Sequence, residues 1–392
     1  MNYRLASPSD TANIRKLWEY CFDDPDEFND WFFENRYQPH NTLVAAENGR
    51  IASALQLLPY TIQLRGQKMT TSYIVGVSTW PEDRGKGYIT RLLRYALEEA
   101  RGRKQWVNIL LPFKYEFYRK YGWETCYSHA IYSGSIDSFN SYCREIEITG
   151  QFRPVNKEKD IPLLNKFYLT FAKQLNGFVC RNSQDWMRLL DDIKLYQGHA
   201  YLYTDKEGLG GYIIYYIENR KFSIREMAYT DQKSKYALLK FALGHSDIID
   251  RIQWQRPNIY SENFFLQKYG IKRMEKPFVM GRIVDVAKAL EAVIPEPADI
   301  ELDLAIEIVD RFLEWNNQIY NIKSVDGKTA VYPTNKNPDF KIDITSLAQL
   351  LWGYISVDQA IDYGLLEVNR ANKIDQIMDI FPKAIPYIYE DY

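Results

Sequence analysis

Val75-Gly76-Val77-Ser78-Thr79-Trp80-Pro81-Glu82-Asp83-Arg84-Gly85-Lys86-Gly87-Tyr88-Ile89-Thr90 is the stretch on which the reading of this chain turns. A strand runs into a turn at Pro81, then into a basic loop with two glycines, then into a helix. Ile89, Leu92, Leu93, Ala96, Leu97 and Ala100 give that helix one apolar face, and Gly102 is a fitting C-cap. A glycine loop that opens a helix presents unpaired backbone N–H groups and the positive end of the helix dipole, a combination suited to a pyrophosphate. Gly85 and Gly87 let the backbone approach the phosphates, while Arg84 and Lys86 add positive charge. The loop is neither a Walker loop, since no Gly-Lys-Ser/Thr ends it, nor a dinucleotide fingerprint. Taken alone, it also reads as an ordinary helix N-terminus with a turn.

Upstream, Ser9 to Cys21 carries helical spacing (Ile14, Leu17, Trp18, Cys21), with Ser9 or Asp10 as the expected N-cap. An acidic, aromatic-rich stretch extends from Phe22 to Tyr37. Thr42–Glu47 and Arg50–Leu58 flank Asn48-Gly49, a strong hairpin signal, and Tyr60–Leu64 and Gln67–Thr79 flank Arg65-Gly66. Downstream, a buried strand at Trp106–Leu111 and a last helix complete an α/β unit within residues 1–150.

The same order returns more faintly. Ala200–Tyr203, Gly211–Ile217 and Phe222–Tyr229 read as strands, followed by a helix from about Lys235 to Gly244. Phe264-Phe265-Leu266-Gln267-Lys268-Tyr269-Gly270 then echoes Glu116-Phe117-Tyr118-Arg119-Lys120-Tyr121-Gly122, which points to an internal duplication over 151–292. The second copy has no glycine where its loop should be, in Thr230-Asp231-Gln232-Lys233-Ser234-Lys235, and Leu266 stands in place of Tyr118. From 293 to 392 the pattern changes. Strands at Ile300–Val309, Gln318–Ser324, Thr329–Tyr332 and Phe340–Ile344 precede helices near Ser346–Leu351, Val357–Tyr363 and Asn372–Phe381, an α+β order of its own.

Composition bounds the function. The 392 residues carry a net charge of −2, so no general attraction to nucleic acid or to an anionic membrane is expected, while a small cationic substrate is compatible. Tyrosine is so abundant, at 31 residues, that no single one is informative without its context. Cys21, Cys126, Cys143 and Cys180 make no C-x-x-C pair, and His40, His129, His199 and His245 have no ligand spacing, so no metal is expected. No signal-peptide pattern opens the chain, and no apolar run approaches the ~18 residues of a membrane span. The expectation is a reduced, cytoplasmic enzyme.

Arg84-Gly85-Lys86-Gly87, preceded by a strand and Pro81, resembles the acetyl-CoA loop of the GNAT superfamily of N-acetyltransferases. Phe117-Tyr118-Arg119-Lys120-Tyr121-Gly122-Trp123 resembles that family's second signature, an aromatic pair closing on glycine and an aromatic. Ile89 departs from the loop pattern, which wants Gly or Ala there, but the Eis-like (enhanced intracellular survival) branch tolerates it. That branch also has about 400 residues, a degenerate second acetyltransferase-like domain and a sterol-carrier-protein-like C-terminal domain. The resemblance therefore implies an α/β and α+β fold of tandem GNAT domains, the second degenerate, followed by a sterol-carrier-like domain.

It also implies the site. Acetyl-CoA is the co-substrate, held by Val77, Ser78, Thr79, Arg84, Gly85, Lys86, Gly87, Tyr88, Ile89, Thr90, Phe113 and Lys114. Tyr118 stands at the position of the acid that protonates the departing thiolate, and the carboxylate of Tyr392 at the position of the base. A homo-oligomer, a hexamer, is implied by resemblance alone. The implied reaction is acetyl transfer to a primary amine of a small polycation (an aminoglycoside or polyamine) or of a peptide or protein lysine. The acidic, aromatic segment Phe22–Phe28 with Trp31, Phe32 and Phe33 is either a cation-accepting wall or a solvated helical segment with one buried face. Two other classes compete. A lipid or sterol carrier led by the C-terminal domain would hold co-purifying lipid. An aminoacyl-tRNA-dependent transferase would need a basic groove, which the net charge disfavours.

Overall fold

The computed structural model describes residues 1–143, 147–258, 263–294, 302–325 and 328–391. Both hairpins form where the turn residues demand them. Asn48 (φ 49°) and Gly49 (φ 80°), then Arg65 (φ 48°) and Gly66 (φ 79°), are left-handed pairs, the geometry that matches the twist of antiparallel strands. The strands expected at Arg50–Leu58 and Tyr60–Leu64 are one continuous strand, Arg50–Leu64, between Thr42–Glu47 and Gln67–Thr79. The first sheet runs Asn2–Leu5, Thr42–Glu47, Arg50–Leu64, Gln67–Thr79, Val107–Leu110, Met280–Ile283, Glu124–Thr125. Its parallel step, from Gln67–Thr79 to Val107–Leu110, is bridged by the helix Tyr88–Gly102, the crossover that parallel strands require. Leu92, Leu93, Ala96, Leu97 and Ala100 bury that helix in a core shared with Leu55, Ile74 and Leu110.

The first helix, Thr11–Cys21, begins later than its spacing suggests. Pro8–Asp10 forms a 3-10 turn, and the cap is a reciprocal box in which Ser7 N–H donates to Asp10 Oδ2 at 2.7 Å. Ser7 thus caps the turn, and Asp10, one of the two expected residues, is the N-cap of the helix itself, with its carboxylate turned back to Ser7.

The second sheet repeats the plan: Lys272–Pro277, Ser128–Ser135, Arg251–Pro257, Lys221–Tyr229, Gly210–Glu218, His199–Thr204, Gln151–Pro154. Lys221–Tyr229 lies parallel to Arg251–Pro257, as Gln67–Thr79 lies parallel to Val107–Leu110. Strand pairing passes across position 150. Ser128–Ser135 pairs with Arg251–Pro257 and Lys272–Pro277, whereas Met280–Ile283 pairs with Val107–Leu110. The chain accordingly forms two compact units: one holds residues up to Tyr127, from Phe278 to Pro386 and from Glu390 on, the other Ser128–Pro277 and Tyr387–Tyr389.

The third sheet, within the first unit, runs Lys328–Pro333, Ile319–Val325, Asp303–Val309, Phe340–Asp343, Leu366–Val368, with helices at Ile344–Trp352, Val357–Asp362 and Ile374–Ile380. Two arginines join it to the first sheet. Arg65, at the tip of the second hairpin, donates to the carbonyls of Leu350 (2.6 Å) and Leu351 (2.7 Å), closing the C-terminal end of Ile344–Trp352 where the helix dipole favours a cation. Burial there lowers its pKa to about 10. Arg282, fully buried on Met280–Ile283, pairs with Asp310 at 2.6 Å, and Asp310 in turn accepts the N–H groups of Phe312 and Leu313.

The glycine of the second signature answers to this ion pair. Gly122 has φ 88°, and a Cβ placed on it would meet the Arg282 guanidinium carbon at 2.7 Å. Gly122→Ala should therefore cost roughly 2–4 kcal/mol in denaturant unfolding, from left-handed strain plus the clash. Gly49→Ala is the control, because it has a similar φ (80°) and nothing within 4 Å of its Cβ, and should cost about 1 kcal/mol. Equal losses would show that Arg282 yields freely.

Candidate active site

The site is built on an irregularity in the strand Gln67–Thr79. Against Arg50–Leu64, Ala54 pairs with Ser78 but Gln56 pairs with Val75, so Leu55 alone faces Gly76 and Val77. This is a β-bulge, and it takes backbone groups at Gly76–Val77 out of the ladder. Gly76 has φ 60°, and a Cβ on it would lie 2.2 Å from the Trp18 ring and 2.3 Å from Gln56 Oε1. Conformation and space both demand glycine here. On its other edge the strand pairs with Val107–Leu110 only at Tyr73 and Ile74. From Val75 to Thr79 it runs on beyond the end of its parallel neighbour at Leu110, leaving that edge without a strand partner in Val107–Leu110.

Val77, Ser78 and Thr79, expected from the sequence to contact the cofactor, lie on this stretch. Ser53 Oγ donates to the Ser78 backbone carbonyl (2.7 Å) and lies 2.8 Å from Thr79 Oγ1, while Ser78 Oγ donates to Ala54 O at 3.5 Å. Ser78 and Thr79 pair with Ala54 and Ser53 in the ladder, so the backbone groups that the bulge releases are those of Gly76 and Val77.

After the turn Pro81–Asp83 comes the loop. Gly85 (φ 79°) and Gly87 (φ 78°) are both left-handed, and a Cβ on either meets nothing within 4 Å. Gly87 occupies the N-cap of Tyr88–Gly102 without any side-chain cap, so the first N–H groups of the helix, at Tyr88, Ile89 and Thr90, stay available. Open space, unclaimed donors and a helix dipole fit a pyrophosphate. The basic side chains divide their tasks. Lys86 Nζ bonds Asp83 Oδ1 at 2.8 Å and Arg50 bonds Asp83 Oδ2 at 2.6 Å, an ion-pair brace beneath the loop. The Lys86 hydrogen bond leads in holding the Asp83 carboxyl below its usual range, against the effect of burial. Arg84 is exposed and reaches back to Thr79 O at 3.4 Å. Ile89, the departure from the loop pattern, packs into the core beside Leu92 and Leu93.

The second signature faces the same core. Tyr118, on the short helix Tyr115–Arg119, is 2% exposed and clusters with Leu55, Ile74 and Val77. Its ring lies edge-on to Phe117 (5.1 Å), Phe113 (5.7 Å) and Trp123 (6.3 Å). Trp123 is fixed by Asn108, which also donates to Ser72 O. Tyr121 OH and Thr90 Oγ1 lie 2.8 Å apart, tying the signature to the first turn of the loop helix. Burial, with a smaller contribution from Tyr121, drives the Tyr118 phenol pKa well above its ordinary value. Phe113 is 72% exposed beside this cluster, and Lys114 is the N-cap residue of the short helix.

A wall of aromatic and acidic side chains covers the bulge. Trp18 stacks on Phe32 (4.4 Å), packs on Phe22 (4.7 Å) and donates from Nε1 to Asp24 (3.1 Å). Burial raises the Asp24 carboxyl pKa, against the Trp18 hydrogen bond. Phe28 and Phe32 are buried, whereas Asp23, Asp26 and Glu27 face solvent on or beside the helix Asp26–Asn35. Gly76, Trp18 and the Arg50–Asp83 brace do not stand out in the sequence as site residues. A glycine inside a strand pattern is the available signal for the first.

Tyr392 lies outside the described residues. The tail leading to it is buried at Glu390, whose carbonyl accepts the Tyr73 hydroxyl at 3.2 Å.

The second copy has the frame without the equipment. Tyr269 N–H and Ile271 N–H return to Leu266 O, as Tyr121 N–H and Trp123 N–H return to Tyr118 O. The helix Gln232–Leu243 is capped by Asp231, whose carboxylate accepts Ser234 N–H at 2.7 Å. A carboxylate already sits where an anion would bind.

Comparison with known proteins agrees with this geometry. Residues 2–126 match a GNAT acetyltransferase domain, residues 177–283 a second GNAT acetyltransferase domain, and residues 286–389 a sterol carrier protein domain. Comparison with curated proteins gives no match. Among solved structures the chain resembles a GCN5-related N-acetyltransferase from Anabaena variabilis (TM-score 0.86, 23% identity, 100% of both chains). It also resembles Eis1 from Mycobacterium abscessus (TM-score 0.78, 18% identity, 100% of both chains). The chain belongs to the GNAT acetyltransferases and is an N-acetyltransferase. Its tandem GNAT domains and terminal sterol carrier protein domain share the overall fold of Eis1.

Gly87→Val should weaken acetyl-CoA binding at least ~100-fold in calorimetry, about 2.7 kcal/mol, because the side chain enters the open space over the helix end. The unaltered chain should bind one acetyl-CoA. Undiminished affinity in the variant would remove the loop from cofactor binding.

Proposed function

We propose that this enzyme transfers acetyl from acetyl-CoA to a primary amine of a small polycation, an aminoglycoside or polyamine, or of a peptide or protein lysine. The single observation that carries the reading is the pairing of the uncapped, glycine-opened helix end with the bulge at Gly76–Val77. GNAT domains use acetyl-CoA generally, and the residues present here fit it. When bound, it supplies an activated acetyl thioester.

The N–H groups of Tyr88, Ile89 and Thr90 would hold its pyrophosphate, with Arg84 adding charge. Val77, Ser78 and Thr79 would align its arm through their backbone, leaving released groups of the bulge to stabilise negative charge on the acetyl oxygen. Phe113 and Lys114, both exposed, would add contacts to the cofactor. Tyr118 remains a phenol at neutral pH, since burial favours its neutral form. A phenol at ~10 or above is a weaker acid than a thiol at ~8.5, so in water this proton transfer would run uphill. A thiolate leaving into the same dry cluster is itself destabilised, which restores the match.

Asp24, half-buried against Trp18, and the exposed Asp23, Asp26 and Glu27 support an ammonium-bearing acceptor over an anionic one. The base in this reading is the carboxylate of Tyr392. Glu390 is seated on Tyr73, in the bulged strand, and two further residues reach at most about 7 Å. A carboxyl near ~3.5 and an ammonium near ~10.4 differ by about seven units, so plain proton abstraction is too costly. The carboxylate instead anchors the ammonium and accepts a proton as the C–N bond forms. The family match of residues 286–389 leaves a lipid-carrying role as a weaker second reading, which extraction of bound lipid would test.

Tyr118→Phe should lower kcat roughly 10²-fold or more in an amine-dependent thiol-release assay, with acetyl-CoA affinity little changed. Normal turnover would assign the proton to another group or to water.

A further inference from the structure

The second copy keeps a cleft, and the chain fills it with its own tail. Lys221–Tyr229 pairs with the parallel strand Arg251–Pro257 only from Lys221 to Ile224. It then bulges: Ile214 pairs with Glu226 but Tyr215 pairs with Ile224, leaving Arg225 extra. From there to Tyr229 it no longer pairs with Arg251–Pro257, as Gln67–Thr79 no longer pairs with Val107–Leu110 beyond Ile74 in the first copy. Met227 lies two residues before the end of its strand, the place that Val77 holds in the first.

Residues 387–389 bridge this opening. The Tyr389 hydroxyl donates to Met227 O at 3.2 Å on one side. On the other, His129 Nε2 donates to Ile388 O at 2.8 Å, and His129 pairs in register with Pro257 at the far end of the opposing strand. A carbonyl partner requires the proton on Nε2, which leaves Nδ1 to accept from the Gln255 amide. Tyr387 N–H donates to Asn176 O at 3.0 Å. Tyr387, Ile388 and Tyr389 are 1%, 0% and 3% exposed. Arg181, paired through both nitrogens with Glu226 just past the bulge, lies 5.8 Å from the Tyr389 ring.

We propose that the degenerate copy is a tail-binding module. The cleft that opens for a cofactor in the first copy is occupied here by residues 387–389, and His129, Tyr389 and Asn176 are positioning residues for the chain end beyond them. Gripping those three residues anchors the tail up to Tyr389, the residue directly before Glu390. This rests on the reading that the residues after Glu390 serve turnover. It gives the second copy a reason to keep its frame after losing its glycine loop, and it leaves no room there for a second acetyl-CoA.

The test uses the full chain with His129→Leu and Tyr389→Ala, and with His129→Gln as the conservative variant whose amide can still donate to Ile388 O. Hydrogen exchange of the segment 387–391 reads the grip, thiol release reads turnover, and calorimetry reads acetyl-CoA binding. The Leu and Ala variants should exchange this segment roughly tenfold faster or more and lose kcat, with acetyl-CoA affinity unchanged. His129→Gln should restore both properties. Unchanged exchange in both disruptive variants would overturn the proposal, as would faster exchange with full kcat. Failure of the acetyltransferase reading itself would show separately, as an unaltered enzyme that does not bind acetyl-CoA.

Discussion

Gly76 puts a left-handed residue into a strand that Arg50–Leu64 pairs along its length, and the rest of the site depends on how that strand responds. An extra residue opposite Leu55 bends the strand and releases backbone groups, and beyond Ile74 its parallel neighbour no longer accompanies it. Trp18 leaves no room for a Cβ at this point, so the bulge is set by packing as well as by backbone preference. The loop then continues the same direction into a helix whose end carries no side-chain cap. Open donors result at two places, the bulge at Gly76–Val77 and the helix end at Tyr88–Thr90, joined by a stretch whose own N–H groups at Trp80, Asp83 and Arg84 are bonded.

The two copies separate frame from function. Both have a parallel strand pair whose pairing ends beside a bulge, and both close their aromatic helix with a left-handed glycine, Gly122 or Gly270. They differ at the helix end, where Gly87 leaves the N–H groups open and Asp231 consumes one. They differ again at the buried position before the turn, a hydroxyl-bearing Tyr118 against Leu266. Frame residues are held by packing and survive loss of activity. Open donors and buried hydroxyls stabilise nothing by themselves, so without a ligand to serve they are readily replaced.

Much of this was legible in sequence because it depends on local chemistry. Asn48-Gly49 and Arg65-Gly66 fix their turns by φ, the apolar face from Ile89 to Ala100 fixes the helix, and Gly85 and Gly87 mark the loop. What the sequence hid was set by partners far along the chain. Periodicity shows that Ser128–Ser135 and Met280–Ile283 are strands, but not which sheet each completes. Gly122 reads as part of a motif, while its steric reason is Arg282. Lys86 reads as a phosphate ligand, and Asp83 engages it in a brace. Val77, Ser78 and Thr79 read as cofactor contacts, while Ser53 already binds the Ser78 carbonyl and lies beside Thr79 Oγ1.

The central claim is that one cleft per chain is built for acetyl-CoA, from the bulge at Gly76–Val77 to the helix end at Thr90. Hydrogen exchange on the full chain, with and without acetyl-CoA, tests it most directly. The expected result is slowed exchange across residues 76–79 and 85–90, with residues 226–235 of the second copy unaffected. Protection at 226–235, or none at 85–90, would contradict it.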